Sequence, residues 1–262
     1  MLVGMRGTST RLTRRLGPPW AILAAIGVAL VALIGLVAAA YGFGAATAAS
    51  AGSSGSVGSA PSPDSTGGGP ADQSSPVAAF LGDSYTAGEG ADGPGDSFTA
   101  LAARDLGWVY EPFAIGGTGY VQPSPDLTYG SRVDAVIAAH PDVVVIAGTR
   151  NDLGADPAEV RSAAADVFSR LRAGLPQAEI VVVGPIWTSR SVPADVSALD
   201  AAVGDAARAA ELPYISALSD PWLDGSPELI APDGIHPTQL GHEVLSRRLV
   251  EALQKDGLVP AS

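Results

Sequence analysis

Two runs of β-branched residues place the strongest limit on how this chain can fold. Residues 142–147 read Asp-Val-Val-Val-Ile-Ala, and residues 179–185 read Glu-Ile-Val-Val-Val-Gly-Pro. Continuous apolar runs of this length, ended by glycine or proline, are typical of strands buried on both faces of a sheet. Such strands belong mainly to parallel sheets, which carry helices on both sides. The two runs therefore predict an α/β protein.

Weaker strand and helix signals alternate with these runs. Three further segments have strand character: Val77–Leu81, Val109–Ala114 and Leu212–Ser216. Helical periodicity follows Asp156 and Pro157, which suit an N-cap and a first helical position, and recurs in Asp195–Leu212 and Thr238–Gln254. In the last helix we expect five side chains to face inward: Leu240, Val244, Leu245, Leu249 and Leu253. The alternation predicts five mainly parallel strands covered on both faces.

Composition excludes several classes of function. The chain has 262 residues, no cysteine, three histidines and a formal net charge of −12. Without cysteine there are no disulfides, thiolate nucleophiles or cysteine metal sites, and three histidines argue against a histidine-rich metal site. The acidic balance argues against a nucleic-acid partner, because such binding needs a basic surface.

The N-terminal region has the character of a membrane-targeting segment. Residues 20–40 carry no charge and, as a helix, would be about 31 Å long, which is enough to cross a bilayer core of about 30 Å. Arginines precede this segment, and no acidic residue occurs before Asp64. This distribution predicts a cytoplasmic N-terminus and an exported remainder.

Four regions follow from this interpretation: a cytoplasmic basic segment (1–19), a transmembrane signal anchor or signal peptide (20–44), an Ala/Ser/Gly/Pro-rich linker (45–76) and a folded domain (77–262). An uncleaved anchor would give a single-pass membrane protein with an extracytoplasmic domain. Cleavage at Ala46-Thr47-Ala48 would instead give a secreted protein. The long apolar run favours the anchor, and both alternatives place the domain outside the cytosol.

A serine follows the first strand candidate directly, in Gly82-Asp83-Ser84-Tyr85. Reactive groups of parallel α/β folds collect beyond the carboxyl ends of the strands, and a serine there can present its hydroxyl at that edge. Taken alone, the motif is also compatible with a serine in a helix-capping loop.

An aspartate and a histidine stand three positions apart just before the last helix, in Asp233-Gly234-Ile235-His236. A turn there would let the Asp233 carboxylate accept a hydrogen bond from His236 Nδ1–H and leave Nε2 free to take a proton. The alternative is an ordinary loop histidine. His140 and His242 have no such acidic neighbour, and we expect them at a helix end and on a helix face.

Two more loops at strand ends carry donors suited to an oxyanion. The glycines of Ile115-Gly116-Gly117-Thr118-Gly119 allow close approach of backbone N–H groups, and Asn151 in Gly148-Thr149-Arg150-Asn151-Asp152 offers a neutral side-chain amide. Either loop by itself could be an ordinary turn. It is the placement of all four motifs at strand ends and in the final loop that favours one active site.

Residues 88–93, Gly-Glu-Gly-Ala-Asp-Gly, formally match a dinucleotide-binding pattern. The segment opens no clear helix after a strand, and its two acidic side chains would repel a pyrophosphate. We interpret it as a flexible loop beside Ser84 that lines a substrate cleft.

At these motifs the chain resembles the SGNH hydrolase superfamily, also called GDSL esterases and lipases, over residues 77–254. The segment around Ser84 is similar to the nucleophile block of that family, and Asp233 and His236 match its Asp-x-x-His block. The resemblance implies that these three residues form a catalytic triad. It also implies a flavodoxin-like, three-layer α/β/α sandwich.

The same resemblance implies an oxyanion hole formed by the Ser84 N–H, the Gly117 N–H and the Asn151 side chain, with Gly116 as a one-residue alternative to Gly117. One position departs from the family. Where the Gly-x-Asn-Asp pattern has glycine, this chain has Thr149, and Gly148 stands one residue earlier.

The resemblance implies a serine esterase that works through an acyl-serine intermediate and needs no metal or organic cofactor. We expect short-chain acyl esters of envelope or extracellular glycans or lipids as substrates, and the membrane as a partner through the N-terminal helix. An acyltransferase using the same acyl-enzyme is an alternative, as is a catalytically silent carbohydrate-binding module.

Overall fold

Five strands form one sheet in the computed structural model, which describes residues 75–259. The strands are β1 (Val77–Gly82), β2 (Val109–Ala114), β3 (Val143–Ala147), β4 (Glu179–Val183) and β5 (Tyr214–Ile215). All neighbouring pairs are parallel, and the order across the sheet is β2-β1-β3-β4-β5. The prediction of a five-stranded parallel sheet is therefore confirmed, although β5 is shorter than the segment from which it was inferred.

Residues 75–259 also form six α-helices, of which the first five lie between strands and the last follows β5: α1 (Ser84–Ala87), α2 (Phe98–Asp105), α3 (Val133–Ala138), α4 (Pro157–Gly174), α5 (Ala194–Ala209) and α6 (Gln239–Lys255). The three long ones, α4 to α6, correspond to the predicted helices. The sequence analysis missed α1 and α2, and it indicated α3 only through the expectation that His140 lies at a helix end. These helices have four to eight residues, which is too short to establish a helical periodicity.

The core has two halves, one on each face of the sheet. Ala79, Leu81 and Ile146 point to the face covered by α3, α4 and α5. Phe80 and Val145, which alternate with them along the strands, pack against α2 and α6 on the opposite face. Because neighbouring strand residues bury opposite sides, the molecule is a three-layer α/β/α sandwich, as the family resemblance implied.

Polar side chains cap the N-termini of α4 and α6. The Asp156 carboxylate accepts the Ala158 N–H at 2.9 Å, as predicted for the start of α4. At α6 the Thr238 hydroxyl accepts the Gly241 N–H at 3.2 Å. The hydroxyl thereby satisfies one of the unpaired N–H groups of the first turn.

One side chain of α6 was placed wrongly. Leu240 is 44% exposed, whereas Leu245, Leu249 and Leu253 are buried as expected. The first turn of α6 packs against the Leu229 backbone through Gly241, where a β-carbon would overlap the Leu229 carbonyl. The neighbouring Leu240 side chain therefore lies outside this helix–backbone contact.

The predicted basic segment (1–19), the predicted membrane segment (20–44) and residues 45–74 of the predicted linker lie outside the described residues. Between residues 75 and 259, no helix combines the length and the hydropathy that a bilayer crossing requires.

Candidate active site

Three of the predicted loops meet at one edge of the sheet. β1, β2 and β3 end in register, with Gly82 opposite both Ala114 and Ala147. The chain leaves these strands toward Ser84, the glycine loop (residues 115–119) and Asn151. Because parallel strands put their carboxyl ends on the same side, the fold itself brings the three loops together.

Ser84 is held in a sharp turn between β1 and α1. Its neighbour Asp83 is the N-cap of α1 and accepts the N–H groups of Tyr85, at 3.0 Å, and of Thr149. A β-carbon at Gly82 would overlap the Thr86 side chain, so this turn requires a glycine. Ser84 is buried in this turn.

A continuous hydrogen-bond chain joins Ser84, His236 and Asp233. The Ser84 Oγ lies 3.0 Å from His236 Nε2, although 152 positions separate the two residues. On the other side of the ring, Nδ1–H donates to Asp233 Oδ2 at 2.7 Å. With its Nδ1 proton held by a carboxylate, the neutral imidazole has a free Nε2 lone pair that can take a proton from the serine hydroxyl.

Asp233 also organises the loop that carries the histidine. Its Oδ1 accepts the backbone N–H groups of Ile235, at 2.8 Å, and of His236, at 3.0 Å. The His236 ring and these N–H groups stabilise the charged carboxylate and lower the pKa of Asp233 to about 2. The carboxylate is therefore ionised at any pH where the imidazole could act as a base.

Tyr85 ties this loop to the nucleophile turn. Its hydroxyl donates to the Ile235 carbonyl, and its ring centroid lies 6.1 Å from that of His236. Burial raises the pKa of Tyr85 to about 12, so the phenol stays neutral and keeps its donor proton.

Asn151 lies between the nucleophile turn and the glycine loop. Its Nδ2 donates to the Thr118 carbonyl at 2.8 Å and lies 3.5 Å from Asp83 Oδ2. Gly117 has a φ of +73° and open space where a side chain would be, whereas a β-carbon at Gly116 would lie 3.6 Å from Ser84 Cβ. Asn151 and the glycine loop, which carry two of the predicted oxyanion donors, thus lie beside the turn that carries Ser84.

Thr149, the departure from the family pattern, adopts a glycine-like backbone. Its φ is +117°, a region in which a β-branched residue is strained. The Thr149 hydroxyl donates to the buried Asp152 carboxylate, which also accepts the N–H groups of Tyr120, Val121 and Gln122. Asp152, to which the sequence analysis assigned no role, therefore holds the loop after the glycines in place.

The loop of residues 88–93 contributes a group that sequence reasoning missed. Glu89 Oε2 lies 3.1 Å from His236 Nε2. The position of the loop beside Ser84 was predicted, but nothing in the sequence indicated a contact with a residue near the other end of the chain.

His242 is more than the helix-face residue that we expected. It is fully buried in α6, its Nδ1 accepts the Phe98 N–H at 3.1 Å, and its Nε2–H donates to the Glu89 carbonyl at 3.1 Å. Burial lowers the pKa of His242, which keeps this tautomer neutral. His140 lies just after α3 with a φ of +49°, away from these contacts.

Comparisons with known proteins agree with this architecture. The GDSL-like lipase/acylhydrolase family matches residues 80–244. A GDSL lipase of Mycobacterium tuberculosis is 34% identical over 191 residues, which are 68% of this chain and 81% of that protein.

Solved structures share the fold. The crystal structure of TesA has a TM-score of 0.58 at 21% identity, covering 68% of this chain and 98% of TesA. A family two carbohydrate esterase from Clostridium thermocellum, solved in complex with cellohexaose, has a TM-score of 0.57 at 18% identity, covering 69% of this chain and 64% of the esterase. Since the family pattern spans most of the described residues and the M. tuberculosis relative is a lipase of the same type, the chain belongs to the GDSL-like lipase/acylhydrolase family of SGNH hydrolases and is an ester-hydrolysing serine hydrolase.

Proposed function

We propose that the chain is an extracytoplasmic esterase in which Ser84 is the nucleophile, His236 the general base and Asp233 the residue that orients the base. The observation that carries these roles is the unbroken hydrogen-bond chain from Ser84 Oγ to the Asp233 carboxylate, with distances of 3.0 and 2.7 Å. A nucleophile, a base and an orienting acid in this order are what acyl transfer through a serine requires.

Acylation begins when His236 Nε2 removes the Ser84 proton as Oγ bonds to the ester carbonyl carbon. The imidazolium then gives that proton to the oxygen of the leaving alcohol as the carbon–oxygen bond breaks, which leaves an acyl-Ser84. In the second half, Nε2 takes a proton from a water molecule whose oxygen attacks the acyl carbon. The same proton returns to Ser84 Oγ when the acid is released.

The oxyanion that forms in each half needs donors on the other side of the carbonyl carbon. We assign this role to the backbone N–H groups of Ser84 and Gly117 and to the Asn151 amide. The Asn151 amide already donates to the Thr118 carbonyl, a contact that orients it before substrate binds. Loss of one such donor typically costs about 3–4 kcal/mol of transition-state stabilisation, so an Asn151→Ala variant should lower kcat while KM changes little. An unchanged kcat would place Asn151 outside the oxyanion hole.

Short acyl esters of glycans or lipids are the substrates that we propose. Residues 77–262 contain no long apolar segment that could form a lid over the cleft, which favours short acyl groups. The likeness in fold to a carbohydrate esterase that was crystallised with cellohexaose supports a glycan as the alcohol. Hydrolysis rates along a series of acyl chains, on acetylated oligosaccharides and on simple esters, test both parts of this proposal.

The extracytoplasmic location rests on the amino-acid sequence of residues 1–44. Arginines before an uncharged apolar segment favour an N-terminus that stays in the cytoplasm and a domain that is exported. Protease treatment of intact cells checks this: digestion of the domain supports export, and protection in intact but not in lysed cells contradicts it.

A fluorophosphonate probe tests the central assignment, because such probes react with activated serines. We expect labelling at Ser84 in the native protein and none in Ser84→Ala, which should also lose hydrolysis of a short p-nitrophenyl ester. Ser197→Ala is the matched control, since Ser197 is on the exposed side of α5 and its hydroxyl bonds only to the Pro193 carbonyl. Turnover that survives in Ser84→Ala would remove this serine from the mechanism.

A further inference from the structure

The loop of residues 88–93 brings a carboxylate to the proposed base. Glu89 Oε2 lies 3.1 Å from His236 Nε2, and Ser84 Oγ lies 3.0 Å from the same nitrogen. The imidazole is thus contacted by two carboxylates, Asp233 at Nδ1 and Glu89 at Nε2. The mechanism proposed above uses only the first of them.

The backbone of Glu89 is fixed on both sides. Its N–H donates to the Ser84 carbonyl at 2.9 Å, and its carbonyl accepts the Nε2–H of the buried His242. The next residue, Gly90, has a φ of +91°, and a β-carbon there would overlap the Pro237 carbonyl. The loop therefore packs directly on the segment that carries His236, and the approach of Glu89 is built into the fold.

The Glu89 side chain lies on the open side of the cleft. A β-carbon at Gly116 would overlap Glu89 Oε1, so the carboxylate spans from His236 to the glycine loop. Its side chain is half exposed, in contrast to the 20% exposure of the His236 side chain. A leaving alcohol must collect its proton from Nε2 on this open side, next to the carboxylate.

The groups around His236 determine what the contact between Glu89 and Nε2 does. Asp233 and Glu89 contact the ring, the charge of Asp83 also acts on it, and the neutral groups Tyr85 and His242 lie around it. The cation Arg150 interacts with the Tyr85 hydroxyl, whereas His236 pairs with the two acids. In the part of the chain that the structure describes, the ion pairs of His236 are with these two acids. When the Ser84 proton arrives on Nε2, Glu89 offers that N–H a second, negatively charged acceptor.

We propose that Glu89 is a further catalytic residue that stabilises the His236 imidazolium from the Nε2 side and makes the cleft favour alcohol moieties that are cationic or neutral over anionic ones. This inference rests on the proposed function, because it needs His236 to be the base. Glu89 forms no covalent bond and keeps its charge. The proton still passes from Ser84 to Nε2 and then to the leaving oxygen.

A charge series of leaving groups tests the proposal. The substrates are phenyl acetate, 3-carboxyphenyl acetate and 3-(trimethylammonio)phenyl acetate, which share one acyl group and differ mainly in charge. Glu89→Gln removes the charge with little change of shape. Glu179→Gln is the matched control, since Glu179 is an exposed acid at the first position of β4, at the opposite end of this strand from the site.

In Glu89→Gln we expect the kcat/KM ratio of the cationic to the anionic ester to fall about five- to tenfold. The kcat for phenyl acetate should fall about fivefold, and the acid limb of its pH–rate profile should move to lower pH by about half a unit. Glu179→Gln should keep the native ratio and profile. Equal ratios and profiles in the native protein and in Glu89→Gln would overturn the proposal.

Failure of the proposed function would look different, since Ser84→Ala would then retain turnover or Ser84 would not react with fluorophosphonate. If the native protein turns over none of the three esters but is labelled, the pH dependence of the labelling rate replaces the kinetic profile. It should shift in Glu89→Gln and not in Glu179→Gln, and the absence of that shift overturns the role of Glu89. The absence of labelling overturns both proposals.

Discussion

The two halves of the site are built in opposite ways. The nucleophile turn is part of the sheet edge, where Asp83 is buried and loses hydration, and burial raises its pKa to about 6. The histidine loop lies at the surface, where the Asp233 side chain is half exposed and the hydrogen bonds that it accepts from His236 and Ile235 lower its pKa to about 2. Two aspartates that neighbour the proposed catalytic pair are therefore shifted in opposite directions by their surroundings.

This contrast shows how stability and activity are divided between the halves. A change at the sheet edge disturbs a buried hydrogen-bond network, so it should act on both folding and catalysis. A change in the histidine loop removes contacts that water can largely replace, so it should act on catalysis with little effect on folding. Variants in both halves of the site test this division.

The largest effect is expected at Asp233, in the surface half. Asp233→Asn should lower kcat by about 10³- to 10⁴-fold, because an amide cannot stabilise the imidazolium and favours the wrong tautomer. The free energy of unfolding should change by less than about 1 kcal/mol, since the side chain is half exposed. Ester hydrolysis and urea unfolding of the same preparation check both numbers, and a large loss of stability would contradict the division.

The next effect is expected at Asp152, in the buried half. Asp152→Ala leaves the backbone N–H groups of Tyr120, Val121 and Gln122 without their acceptor, which should lower the free energy of unfolding by about 3 kcal/mol or more. Asp166→Ala is the control, because Asp166 is an exposed acid of α4 with a weak ion pair to Arg170. A similar loss of stability in both variants would show that the Asp152 network contributes little.

A pH effect should distinguish the two aspartates. Asp83 has a pKa of about 6 in the folded chain and about 3.8 unfolded, so the folded state retains a proton that the unfolded state has lost. The associated stability is complete below pH 3.8 and is lost as the pH rises through about 6. Between pH 4 and 7 this should cost the native protein about 2–3 kcal/mol relative to Asp83→Asn.

Urea unfolding of the native protein and of Asp83→Asn at pH 4, 5, 6 and 7 measures this difference. For Asp233 the sign is reversed, since its lowered pKa stabilises the fold above the unfolded pKa and the stability is lost as the pH falls through about 2. The Asp233 carboxylate itself therefore stays ionised from pH 5 to 7, so its own protonation does not change the stability over this range. A constant difference for Asp83→Asn over the same range would contradict its burial.

The smallest effect is expected at Thr149, where strain and a hydrogen bond oppose each other. Thr149→Gly relieves a positive φ, worth about 1–2 kcal/mol, but removes the hydroxyl bonded to Asp152, worth about 1 kcal/mol. The stability should therefore change by less than about 1 kcal/mol. Thr149→Val keeps the strained backbone and loses the hydroxyl, so it should unfold at a lower urea concentration than Thr149→Gly. The opposite order would contradict the strain assigned to this backbone.

The parts of the fold that the sequence predicted are those that depend on long, regular patterns. The runs before Gly148 and Gly184 predicted β3 and β4, and the capping residues Asp156 and Pro157 predicted the start of α4. The short helices α1 to α3 and the exposure of Leu240 could not be predicted in this way. They depend on how neighbouring segments pack, which a local pattern does not contain.

The residues of the site also divide into those that local motifs predicted and those that depend on packing. Ser84, Asp233 and His236 occur in local motifs, and parallel strands with a common carboxyl edge explain why they were expected to meet. Glu89 and His242 contact each other across 153 positions through a backbone carbonyl, and any residue type has such a carbonyl. Their partnership therefore has no sequence signature and emerges only from the packing of α6 against the loop of residues 88–93.

The separation of Ser84 from His236 also governs when the enzyme can first work. During synthesis the serine, its turn and the five strands of the sheet leave the ribosome before the imidazole does, because 152 positions separate Ser84 from His236. An unfinished polypeptide therefore carries a serine that nothing can deprotonate. A protease cut between Ser84 and Asp233, followed by separation of the two fragments, would return the mature molecule to that same inactive condition.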